Sequence, residues 1–160
     1  MLNALFKALK LFGRHPARAW LMLRVAGWIV ILSCLVKVLS LPRALRLVSM
    51  KPHRKSSDTA PDEISTAIDA VLGLDFFVFR PNCWKRATIL HRYLATRGVM
   101  TTIVFGLKKE PTGELKGHAW LECDGRPVSE AITPAYTVTY TFPSTDPFEV
   151  ELALMAGSKK

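Results

Sequence analysis

CWKRATILHRYLATRG (83–98) runs directly into VMTTIVFGL (99–107), and the change of pattern between them decides the fold. In the first stretch Ala87, Leu90 and Leu94 share a helical face with Cys83, and Gly98 suits a helix stop. The second stretch is rich in β-branched residues and reads as a strand. Upstream, Pro61 suits a first helical turn, with Asp62 and Glu63 at its positive end. Ile64, Ala67, Ile68, Val71 and Leu72 continue that helix, and Gly73 ends it. Downstream, KKEPTGELKG (108–117) reads as a loop, HAWLEC (118–123) as a strand and Asp124-Gly125 as a turn. RPVSE (126–130) reads as the return strand, and Thr137–Phe142 as a further strand. An apolar helix pattern covers 148–156. Helices followed by strands predict an α+β domain.

The N-terminal third differs in composition. Residues 1–57 carry eleven Lys and Arg and no acid, whereas 58–160 carry eleven basic and thirteen acidic residues. Such asymmetry suits contact with something anionic, such as a membrane face, nucleic acid or an acidic protein or peptide. Within it, 2–12 has an amphipathic helix pattern, and 17–41 reads as a long apolar helix stopped by Pro42. Arg24 and Lys37 interrupt the apolar run, which favours a buried or interfacial helix over a spanning one. RALRLVSM (43–50) reads as another short helix and 51–60 as a polar linker. The expected organisation is a basic helical region at 1–57 and a second domain at 58–160. The three cysteines, Cys34, Cys83 and Cys123, make no disulfide framework and no metal-binding spacing. A reduced, cytoplasmic protein without metal or cofactor is expected.

Cys83 opens the central helix behind Asn82, a good N-cap. The positive end of the helix dipole favours a thiolate there, and the free N–H groups of the first turn, around Trp84, can hold an oxyanion. Arg80, Lys85 and Arg86 add positive potential. A lone cysteine on a helix is more often a small core residue than a nucleophile. His118, thirty-five residues later at the start of a strand, completes the cysteine-histidine pairing that nucleophilic catalysis requires, although by spacing alone a strand-end histidine is more often satisfied by a backbone group. His91, beside Arg92, is expected at the surface, and Trp120 under the histidine strand.

An imidazole base needs an acceptor to fix its tautomer. If Asp124-Gly125 forms a two-residue turn, His118 opposes Ala131 and Glu130 points to the other face. If Cys123-Asp124-Gly125 forms a three-residue loop with a bulge at Gly125, His118 opposes Glu130. The second register makes Glu130 the expected third member of a Cys-His-Glu triad. Glu122 shares the face but lies ~13 Å along the strand.

CWKRATILHRYLATRG, VMTTIVFGL and GHAWLECDGRPVSE together resemble the B2-type leader peptidases of lasso peptide biosynthesis. These are similar to the C-terminal domain of the microcin J25 processing protein. The matching positions are Cys83, Arg86, Ala87, Leu90, Leu94, Gly98, Phe105-Gly106, His118-Ala119-Trp120, Asp124-Gly125 and Glu130. Trp84 departs from the usual leucine, and Glu130 from the aspartate of many relatives. His-Ala-Trp is shared with the wider transglutaminase-like superfamily. The resemblance implies a papain-like, transglutaminase-type α+β fold and a cysteine endopeptidase that cleaves the leader from a ribosomally made precursor. It also implies a separate leader-binding partner (the B1 or RRE protein), a downstream cyclase and no nucleic acid. Residues 1–57 could dock that partner or make a peripheral membrane contact. The same residues also fit a transglutaminase-like acyl transferase, and the N-terminal helices a non-catalytic binding module.

Overall fold

The computed structural model describes residues 16–49, 61–75, 77–129 and 135–143. The helix expected at 2–12, the linker with its boundary, Glu130 and the helix pattern at 148–156 lie outside the described residues. Among the described residues four helices come first: α1 (Pro16–Val38), α2 (Leu41–Val48), α3 (Pro61–Leu72) and α4 (Cys83–Ala95), with a 3-10 turn at Phe77–Phe79 before α4. Strands β1 (Thr102–Lys109), β2 (Leu115–Cys123), β3 (Arg126–Val128) and β4 (Thr137–Phe142) follow. They pair antiparallel in the order β3-β2-β1-β4. The chain is thus α+β, as its pattern predicts.

The apolar stripes become one core. Val25, Ile29 and Leu32 of α1 and Leu45 and Val48 of α2 pack with Ile64 and Ile68 of α3 and Leu90 and Leu94 of α4. Ile103, Leu121 and Phe142 supply the sheet side. Helices from both sides of the 51–60 stretch therefore share this core. By length and composition alone α1 could cross a membrane. Its inner face is nevertheless core, while Trp20, Leu23, Ile31 and Val38 are exposed. Arg92 of α4 ties the N-terminal helices down. Its guanidinium lies 3.4 Å from the centre of the Trp28 ring and donates to the carbonyl of Val48.

Several boundaries differ from the sequence reading. The break between α1 and α2 falls at Leu39-Ser40, not at Pro42. Proline lacks an N–H, but a first helical turn needs none. Pro42 accordingly sits in the first turn of α2. At the other end of the fold, β2 starts at Leu115, so the loop expected at 108–117 shrinks to a tight connection. Lys108 pairs with Lys116 and Lys109 with Leu115. His118 therefore sits inside β2 rather than at its start. The end of α4 matches expectation: Gly98 has φ 76°, and the N–H groups of Gly98 and Val99 return to the carbonyls of Ala95 and Leu94.

His91 is the clearest correction. It is 6 % exposed, not at the surface. It lies four residues after Ala87, which places it on the core stripe despite its charged neighbour. Its Nδ1 is 2.8 Å from Oγ1 of Thr101, and its ring meets Phe142 edge-on. Burial lowers its pKa, and the bond to Thr101 opposes this only in part. The unfolded chain then binds a proton more readily than the fold does. This contribution to stability is complete above the ordinary histidine value of 6.5 and is lost as pH falls through the window below it. Thermal melts from pH 7.5 to 5.0 are expected to show a steeper decline for the wild type than for His91→Gln. Parallel declines would contradict this.

Candidate active site

Cys83 occupies the first position of α4, half-buried, with Asn82 before it in extended conformation. The carbonyl of Asn82 accepts the N–H of Arg86 and closes the first turn. Its side chain makes no capping bond. Instead the Cys83 Sγ–H points to Oδ1 of Asn82 at 3.8 Å. Asn82 is thus an N-cap by position, with its amide turned to the thiol. The first-turn N–H groups have no intrahelical carbonyl, and the cap residue does not take them. An oxyanion beside Sγ would find these donors.

The three cations expected around the thiol are mostly committed elsewhere. Arg86 pairs with Asp69 of α3 at 2.7 Å and donates to Ser65 at 2.9 Å. Lys85 donates to the carbonyl of Val78 at 2.8 Å, and partial burial lowers its pKa. Arg80 is exposed. The α4 dipole is the remaining fixed source of positive potential at Cys83. Arg86 and Lys85 pin the helix start to α3 and to the 3-10 turn.

His118 is half-buried in β2, opposite Gly106 of β1. Alternation puts His118, Trp120 and Glu122 on one face of the sheet and Ala119 and Leu121 on the other. Leu121 belongs to the core that includes α4. β3 pairs only with Leu121–Cys123, so among the described residues the β2 edge at His118–Trp120 carries no strand. Two cavities meet there, of about 450 and 250 Å³, and Cys83 and His118 line both. Trp84, expected as support in the first turn, lies in the wall of the larger one.

The imidazole sits in an aromatic nest. Its ring stacks on Trp120 at 5.9 Å between centroids with 17° between planes, and Tyr136 closes from another side at 5.3 Å. Trp120 is 3 % exposed, and its Nε1–H donates to Glu122 at 2.9 Å. Trp120 thus packs beneath the histidine strand, as expected. Tyr136 was missed by the sequence reading, because nothing in its neighbourhood marks a ring that precedes a strand. Gly106 has a clear structural reason: a Cβ there would lie 2.7 Å from Cβ of Tyr136 and 3.0 Å from the Trp120 ring.

The hairpin register behind the third triad member needs correction. Cys123 pairs with Arg126 and Leu121 with Val128, which is the two-residue turn. Asp124 has φ 49° and Gly125 φ 73°, the two positive values of a type I′ turn, which aspartate and glycine both tolerate. The three-residue bulge that set His118 opposite Glu130 does not form. The described return strand ends at Val128, and Ser129 bends the chain with φ 61°. Glu130 itself lies outside the described residues, so its case no longer rests on strand register. Cys34 is exposed, and Cys123 is the half-buried last residue of β2.

A cysteine at a helix start, a histidine on an antiparallel sheet and a helical layer on one sheet face are the arrangement of a transglutaminase-like domain. The sequence profile of the transglutaminase-like superfamily matches residues 19–141, and the chain belongs to that superfamily. Its members are usually catalytic, as cysteine hydrolases or transferases. The match begins inside α1, so it takes in the N-terminal helices as well as the sheet. No curated protein and no solved structure matches the chain.

Proposed function

We propose that this chain is a cysteine endopeptidase that removes the leader from a ribosomally made lasso peptide precursor. The observation that carries the reading is the shared position of Cys83 and His118, which line the same two cavities at the open edge of β2. His118 takes the thiol proton as Sγ attacks the scissile carbonyl. First-turn N–H groups hold the developing oxyanion, and Asn82 can add its Nδ2–H only once its amide turns that end to the site. The imidazolium then protonates the leaving amine, and water releases the acyl group. Two cavities that share Cys83 and His118 suit a substrate with a residue on either side of the bond under attack. Glu130 is the proposed acceptor for the imidazole.

The peptide class comes from the resemblance of residues 83–130 to leader peptidases. A separate leader-binding partner presents the precursor, the freed amine passes to a cyclase, and the reaction runs in the cytoplasm. The basic residues of 1–57 contribute to that docking or to a peripheral membrane contact. Superfamily membership also supports a second reading, acyl transfer to an amine. The test incubates a cognate precursor and its leader-binding partner with wild-type or Cys83→Ala protein, with and without a primary amine, followed by mass spectrometry. Leader and free core peptide with the wild type alone are expected. An amine adduct in place of hydrolysis selects the transferase, and equal cleavage by both proteins overturns the assigned nucleophile.

A further inference from the structure

The larger cavity beside Cys83 is bounded by both halves of the chain. Val36 of α1 and Leu41 of α2 form one wall, Trp84 of α4 another, and Phe105, Leu107 and Ala119 the sheet side. Among its lining residues none carries a fixed charge. At about 450 Å³ it has the volume of a pocket for part of a ligand, not of a packing defect. An apolar hollow of this size beside a reactive thiol favours an apolar occupant, because burial there removes apolar surface from water.

We propose that this cavity is a specificity subsite that takes a bulky apolar side chain of the substrate next to the bond under attack. The α1–α2 corner is then a working wall of the cleft, in the region whose charge sets it apart from the rest of the chain. The smaller cavity, bordered by Arg86, Trp120 and Ser129, is the more polar side and takes the other half of the substrate. A charged side chain in the larger cavity would lose its hydration without meeting an opposite charge. The inference rests on Cys83 as the reactive thiol, and the test separates the two.

Alkylation of Cys83 reads the cavity without any peptide substrate. In this reaction the thiol adds across the maleimide double bond, an S–C bond forms and the thiol proton ends on the neighbouring carbon. No oxidant or leaving group is involved. Rates at Cys83 with N-benzylmaleimide and N-ethylmaleimide are followed by peptide mass spectrometry, which separates Cys83 from Cys34 and Cys123. Each rate is divided by that of glutathione with the same reagent. A benzyl preference of about tenfold is expected from burial of one ring. Leu107→Lys and Thr139→Glu place a charge in the cavity from exposed positions, so folding is retained. Both are expected to reduce the preference below about threefold. A wild-type preference below threefold, or one that survives both substitutions, overturns the subsite. If Cys83 reacts with iodoacetamide no faster than Cys34, the nucleophile assignment fails instead.

Discussion

Cys83→Ala is expected to abolish turnover, and His118→Asn to lower kcat by about 10³-fold or more. The two groups share one step, since the imidazole acts by taking the thiol proton. Their losses should therefore not add, and Cys83→Ala with His118→Asn should be no slower than Cys83→Ala alone. Neither side chain is in the core, so thermal midpoints should stay close to wild type. The pair can also be tested without substrate. If His118 generates the thiolate, His118→Asn slows alkylation of Cys83 near neutral pH and leaves Cys34 unaffected. Equal alkylation in both proteins would remove His118 from the mechanism. Glu130→Gln is expected to be milder, about tenfold or more in kcat, because Trp120 and Tyr136 already hold the imidazole plane. A change below twofold would leave the aromatic nest as the orienting element and Glu130 without a role.

Those aromatics show where sequence reasoning reached and where it stopped. α3, α4 and β4 were legible because each depends on one local signal. These were a proline at a first turn, a stripe ending at Gly98 and a β-branched run. Cys83 and His118 were legible because their chemistry requires a helix start and a nearby strand. His91 failed because its charged neighbour outweighed its place on the Ala87 stripe. The break before α2 was misplaced because a proline that ends one helix also fits the first turn of the next. The hairpin register failed for a subtler reason. Asp-Gly serves a two-residue turn as well as a bulged three-residue loop, and only the bulge sets Glu130 opposite His118. The fold offers a different solution: it brings two rings, Trp120 and Tyr136, to the histidine.

Gly106 makes that solution testable. It stands opposite His118, and its missing side chain is what lets Trp120 and Tyr136 close around the imidazole. A methyl at this position meets Cβ of Tyr136 at 2.7 Å, which is backbone-proximal and cannot rotate away. It also meets the Trp120 ring at 3.0 Å, and that ring is buried and bonded to Glu122. Neither neighbour can yield cheaply, so Gly106→Ala is expected to cost about 1–3 kcal/mol in urea unfolding. Because any relaxation tilts the rings that hold His118, kcat should fall by about tenfold or more as well. Tyr136→Gly removes the nearest of the three close atoms at the expense of its own ring contact. The double variant should then recover part of the Gly106→Ala loss, with a coupling of about 1 kcal/mol or more. A Gly106→Ala protein of wild-type stability and activity would show that the rings have room to spare. The nest would then be packing around His118, and the orientation of its imidazole would have to come from Glu130.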